Sequence, residues 1–206
     1  MTTKIIIDFE TSGLNPYHDD IIEVAMKVLG TENKFTTLLK PKSNVCISER
    51  ITCLTGITNR MLSREGKDWQ DAYKSLNDWL YSVRGNSDKL AIIAHNGESF
   101  DFIFLRRIFK ELSELNIDSF PCEDIIFIDT LLISKRLLKG NESHRQSTLC
   151  SQFNIKSIGA HRAMNDVIAL ENIFIVFMKK LDECLDLTEG ATRENPELID
   201  NYIKFK

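Results

Sequence analysis

Lys4-Ile5-Ile6-Ile7-Asp8-Phe9-Glu10-Thr11-Ser12-Gly13 is the stretch on which the fold turns. Three consecutive β-branched isoleucines read as a buried strand, Ile5–Asp8. Side chains alternate along a strand, so Asp8 and Glu10 point to one face. Two carboxylates thus meet at the mouth of a buried strand, just before a Ser-Gly turn. Like charges held side by side away from water are costly unless a cation neutralises them. An oxygen-rich site of this kind suits Mg²⁺ or Mn²⁺. Taken alone, however, an Asp-x-Glu pair more often marks a strand turning polar as it meets solvent. The rest of the chain has to decide.

Outward from this strand, Gly13–Asp20 is rich in turn residues, and Ile21–Leu29 is apolar with strand propensity. Gly30–Asn33 turns the chain, and residues 34–39 alternate before Pro41. The connections are too short for helices, so the three segments predict an antiparallel meander. Residues 47–63 read as short helical pieces broken at Gly56. Between Lys67 and Arg84, Trp69, Ala72, Tyr73, Leu76, Trp79, Leu80 and Val83 recur at helical spacing, a core-facing stripe. Leu90–Ala94 is a short, fully apolar strand. After the His95–Glu98 turn, Ser99 and Asp101 open a helix that carries Phe104, Leu105 and Ile108 inward. Ile125–Asp129 is the last strand, followed by helices over residues 130–138, 147–153 and 161–185. The order predicts an α/β fold: a mixed five-stranded sheet with helices on both faces. Residues 1–185 form the main domain. Residues 186–206, polar and containing Gly190 and Pro196, are expected to be a loosely packed C-terminal extension or a partner-binding segment.

The bulk numbers set limits. A chain of 206 residues accommodates one domain with a sizeable core, and 43% hydrophobic with 27% charged residues is an ordinary globular composition. A net charge of −4 and a pI of about 5.6 argue against coating nucleic acid through bulk positive charge. They leave open an enzyme that holds one strand end through metal ions. Five widely spaced cysteines without a Cys-x-x-Cys pair read as reduced thiols. With neither a signal-like N-terminus nor an apolar run approaching 18 residues, the expectation is a soluble, intracellular, cytoplasmic protein with no membrane partner.

Four acids stand out: Asp8, Glu10, Asp101 at a helix start, and Asp166 five residues after His161. Open α/β sheets build sites where strand ends meet helix starts. Each residue also has an ordinary reading. Asp101 can simply favour a helix N-terminus, and Asp166 and His161 can be solvated surface residues.

Three segments together are more specific. Asp8-Phe9-Glu10-Thr11-Ser12-Gly13 resembles the first motif of the DEDDh, or DnaQ-like, 3′–5′ exonucleases. His95-Asn96-Gly97-Glu98-Ser99-Phe100-Asp101 resembles the second, and His161-Arg162-Ala163-Met164-Asn165-Asp166 the third. Leu54-Thr55-Gly56-Ile57-Thr58 and Ile128-Asp129-Thr130-Leu131 are weaker family-like features. The resemblance covers roughly residues 4–180. It implies a ribonuclease H-like fold and a two-metal mechanism with Mg²⁺ or Mn²⁺. Asp8, Glu10 and Asp166 are implied to hold the first metal. Asp8 reaches the second, with Asp101 contributing directly or through water. His161 is implied as general base, the place a tyrosine takes in the DEDDy branch.

By the same resemblance, the backbone of Thr11 to Leu14, including Gly13, lines the terminal nucleotide. Leu14 and Ile57 are candidates to pack on its base, and Asn96 and Phe100 to touch sugar or backbone. The implied activity is release of nucleoside 5′-monophosphates from the 3′ end of single-stranded nucleic acid, with DNA the first expectation. Two alternatives stand beside it. One is an RNA exonuclease of oligoribonuclease or ribonuclease T type, the choice resting on 2′-OH contacts. The other is a proofreading or accessory domain that docks a polymerase or another protein through residues 186–206.

Overall fold

The computed structural model describes residues 2–42, 46–156, 161–185 and 191–204. Strands β1 (Thr3–Thr11), β2 (Ile21–Val28) and β3 (Lys34–Leu38) form the expected antiparallel meander, and β4 (Leu90–Ala94) and β5 (Ile125–Asp129) add in parallel. The sheet order is β3-β2-β1-β4-β5. The helices are α1 (Glu49–Thr55), α2 (Asn59–Glu65), α3 (Trp69–Arg84), α4 (Asp101–Glu114), α5 (Thr130–Leu137), α6 (Gln146–Gln152), α7 (Ala163–Cys184), α8 (Ala191–Glu194) and α9 (Pro196–Lys204).

Strand alternation divides the core. Ile5, Ile7 and Phe9 of β1 pack with Leu76 and Leu80 of α3 and with Phe104, Leu105 and Ile108 of α4. Ile6 points the other way, with Ala91, Ile93 and Ile128, toward Val167, Leu170 and Phe174 of α7, Ile133 of α5 and Leu149 of α6. Asp8 and Glu10 share the parity of Ile6, so they emerge on the side of the sheet that α7 covers. A smaller cluster of Ile22, Ile47, Ile57 and Leu62 lies under α1 and α2.

Two sequence expectations change. The first strand does not end at Asp8. It runs on to Thr11 because β2 supplies partners along that length, Asp8 opposite Ala25 and Glu10 opposite Glu23. The extension is not loose over residues 191–204. Ile199 is fully buried in the α7-side core, and Thr192 donates twice to α7, its hydroxyl to the Met178 carbonyl at 3.1 Å and its N–H to the Asp182 carboxylate at 2.9 Å. Polar residues between Ile199 and Tyr202 mask this amphipathic pattern in the sequence. Residues 186–190 and 205–206 lie outside the described set. Among the described residues all five cysteines are unpaired, and no helix is long and apolar enough to cross a membrane.

Candidate active site

The site forms where β1 outlasts its neighbour. β4 pairs with β1 over Thr3 to Ile6 and ends at Ala94, whereas β2 accompanies β1 to Thr11. The edge that β4 leaves open is taken by the start of α4, where Asp101 Oδ1 accepts the Phe9 N–H at 3.2 Å. The turn before α4 is clamped from β5: the Asp129 carboxylate accepts the N–H groups of Asn96 (2.9 Å), Glu98 (3.1 Å) and Leu131 (2.8 Å). Gly97 is required there, because a Cβ would lie 2.6 Å from the Phe102 ring and 2.8 Å from the Ala94 side chain.

From the other side, α7 brings the third segment. His161, at φ 66°, precedes the helix and donates its N–H to Asp166 Oδ2 at 2.8 Å. Glu23 of β2 accepts from Arg162 Nη2 (2.9 Å), Arg162 Nε (3.3 Å) and the Ala163 N–H (3.1 Å), fastening the first turn of α7 to the sheet. Gln146 of α6 donates to the Asp166 carbonyl at 2.9 Å.

One carboxylate oxygen each from Asp8, Glu10 and Asp166 falls within 4.8 Å of the others. Neither the Asp8 nor the Glu10 carboxylate receives a hydrogen bond from any described residue. Burial pushes all of these acids upward. Asp8 stands well above the usual carboxylate range, through burial first and then the charges of Asp101, Glu10, Asp166 and Glu23. Glu10 is pushed up to about 8 by burial, Asp166, Glu23 and Asp101, against the opposing pull of Arg162. Asp101 is pushed up to about 7 by burial, although the Phe9 N–H draws it down. Burial also raises Asp166, opposed by the His161 N–H. Crowded carboxylates, of which only Asp101 and Asp166 each receive a backbone N–H, form a hard, oxygen-only ligand set, which fits a divalent cation.

The three acids open onto a groove of about 390 Å³. Of the residues singled out in the sequence, Thr11, Gly13, Leu14, Phe100 and His161 line it. Two expected contacts do not. Ile57 is fully buried with Ile22, Ile47 and Leu62, because Gly56 ends α1 in the left-handed region and the Ile57 N–H turns in to Thr55 Oγ1. Ile51, Leu54 and Thr55 form that wall instead. Asn96 is absent from the lining, its backbone tied to Asp129. Sequence reasoning also passed over Arg145, Gln146 and Ser147 on the opposite wall, and Glu23. A lone acid inside the apolar run Ile21–Met26 was the available signal for Glu23. No signal marks residues 145–147.

A family model described as Exonuclease (RNase_T) matches residues 5–174. DNA polymerase III PolC-type of Bacillus subtilis (strain 168) is 33% identical over 202 residues, which cover 97% of this chain and 12% of the polymerase. DNA polymerase III PolC-type of Thermotoga maritima is 31% identical over 207 residues, covering 99% of this chain and 14% of the relative. The chain therefore spans only about one eighth of the length of these relatives. E. coli exonuclease I in complex with a dT13 oligonucleotide shares the fold, with a TM-score of 0.69 at 21% identity, covering 98% of this chain and 43% of that one. Cell-death related nuclease 4 superposes with a TM-score of 0.65 at 19% identity, over 90% of this chain and 64% of the other.

Proposed function

We propose that this chain, which belongs to the RNase_T exonuclease family and has its ribonuclease H-like fold, removes nucleotides from the 3′ end of single-stranded DNA as nucleoside 5′-monophosphates. The observation that carries this reading is the meeting of Asp8, Glu10 and Asp166 within 4.8 Å on a groove that His161 also lines. The polymerase names of the relatives support DNA as substrate and a proofreading setting with a polymerase partner. Unpaired cysteines support a cytoplasmic setting.

Asp8, Glu10 and Asp166 would hold one divalent ion, Mg²⁺ or Mn²⁺, and Asp8 with Asp101 a second. When bound, such ions neutralise the phosphate and stabilise the attacking and leaving oxygens. The chain's own groups supply the rest. Leu14, Leu54 and Phe100 offer an apolar wall for the terminal nucleotide, with little discrimination among bases. The His161 ring accepts a proton from the attacking water at a ring nitrogen. The water oxygen bonds to phosphorus, the bond from phosphorus to the 3′ oxygen breaks, and that oxygen takes a proton from solvent.

A time course on 5′-labelled single-stranded DNA and RNA of matched sequence, with Mg²⁺ or with EDTA, tests this. The expected result is a ladder shortening from the 3′ end, dependent on metal, faster on DNA and absent for Asp8→Ala. Immediate release of the labelled 5′ nucleotide, internal cuts, or full activity in Asp8→Ala would overturn it.

A further inference from the structure

We infer that Glu23 is a positioning residue for the proposed reaction: through Arg162 and the Ala163 N–H it holds the His161 backbone where the imidazole meets the groove. The inference rests on the reading of His161 as the proton acceptor. Glu23 lies within the apolar strand β2, its side chain 5% exposed, directly across from Glu10. Like charges opposite each other on a sheet are unfavourable, and an unpaired buried carboxylate more so. Glu23 is paired in full, by a two-nitrogen contact from one guanidinium and by one backbone N–H, all from the beginning of α7. Satisfying this acid therefore fixes the first turn of α7 against β2.

His161 is the residue just before that turn. Its φ of 66° lies in the left-handed region, which a residue with a Cβ occupies only when its surroundings hold it there. Two carboxylates do so. Asp166 takes the His161 N–H directly. Glu23 takes the guanidinium of the next residue, Arg162, and the N–H of Ala163 after it. Asp166 also belongs to the cluster that would hold metal, whereas Glu23 stands outside that cluster and adds only its charge to the field on Asp8, Glu10 and Asp166. Removing its charge should leave the acidic cluster in place and let the imidazole wander.

The test is a double-mutant cycle in kcat at saturating Mn²⁺ on a single-stranded oligonucleotide, using Glu23→Gln and His161→Ala singly and together. Glu23→Gln alone should lower kcat about 30-fold, with KM changed less than about threefold. In the His161→Ala background the same substitution should change kcat less than about twofold, because no imidazole remains to be placed. Arg162→Gln, at a half-exposed position, should repeat the pattern and serves where Glu23→Gln folds poorly. Equal losses in both backgrounds would overturn the positioning role and leave a general structural one. A wild type without exonuclease activity would overturn the underlying reading instead, so the two failures are distinguishable.

Discussion

Replacing Glu10 with glutamine should make the metal-free protein more stable, even though it removes a residue the proposed chemistry needs. Glu10 is 9% exposed and its carboxyl is pushed from 4.5 to about 8, chiefly by burial and then by Asp166, Glu23 and Asp101. The folded form therefore holds this proton more tightly than the unfolded chain. Between pH 4.5 and about 8 the unfolded state sheds it first, so stability falls as pH rises through that window. The full difference corresponds to about 5 kcal/mol, at 1.36 kcal/mol per pH unit. Relaxation and water entry reduce it, and a gain of about 2 kcal/mol for Glu10→Gln at pH 8.5 is the expected outcome, or roughly 4–8 °C in Tm for a chain of this size. At pH 4.5 the gain should vanish. The assay is thermal unfolding followed by circular dichroism in EDTA across pH 4.5–8.5. Excess Mn²⁺ should reverse the order, since ligand at 100 times its Kd stabilises the wild type by about 2.7 kcal/mol and the variant far less. A variant destabilised equally at both pH extremes in EDTA would refute the reasoning that the cluster stores charge repulsion.

Other outcomes follow from the same geometry. Among the described residues Arg145 is the one arginine or lysine lining the groove, and no described residue pairs with its guanidinium. Arg145→Gln should raise KM for a single-stranded oligonucleotide about tenfold, leave kcat within about threefold, and weaken the salt dependence of KM by about 0.7 in log–log slope, the share of one phosphate contact. Unchanged KM and salt slope would exclude such a contact. Ile199→Ala should cost about 2–4 kcal/mol in urea unfolding while kcat stays unchanged, because Ile199 is fully buried in the α7-side core far along the chain from the acids. A loss under 1 kcal/mol would mean that α9 is peripheral.

The architecture was legible because its signals are local and periodic. Ile5–Ile7, Leu90–Ala94 and Ile125–Ile128 are apolar runs, and α3 and α7 repeat at helical spacing, so five strands and the main helices follow from pattern alone. The acids were legible only as three segments in order. No periodicity brings Asp166 to Asp8, and the meeting depends on β1 overrunning β4 and on α7 crossing the Asp8 face. Ile57 and Asn96 were misplaced because a single left-handed residue, Gly56 or Asn96 itself, decides which way the neighbouring groups turn. The packing of α9 escaped notice because Leu198, Ile199 and Tyr202 make only a short apolar stripe in an otherwise polar tail. Glu23 was visible as an acid in an apolar strand, but its partner lies 139 residues away.

The central claim is that Asp8, Glu10 and Asp166, with Asp101 beside them, are a ligand set for divalent ions. Crystals soaked in Mn²⁺ and measured for its anomalous scattering test this most directly. A strong peak is expected between the Asp8, Glu10 and Asp166 carboxylates, with a second near Asp8 and Asp101, and both should be lost in Asp8→Asn. Saturating Mn²⁺ with no peak at these carboxylates would contradict it.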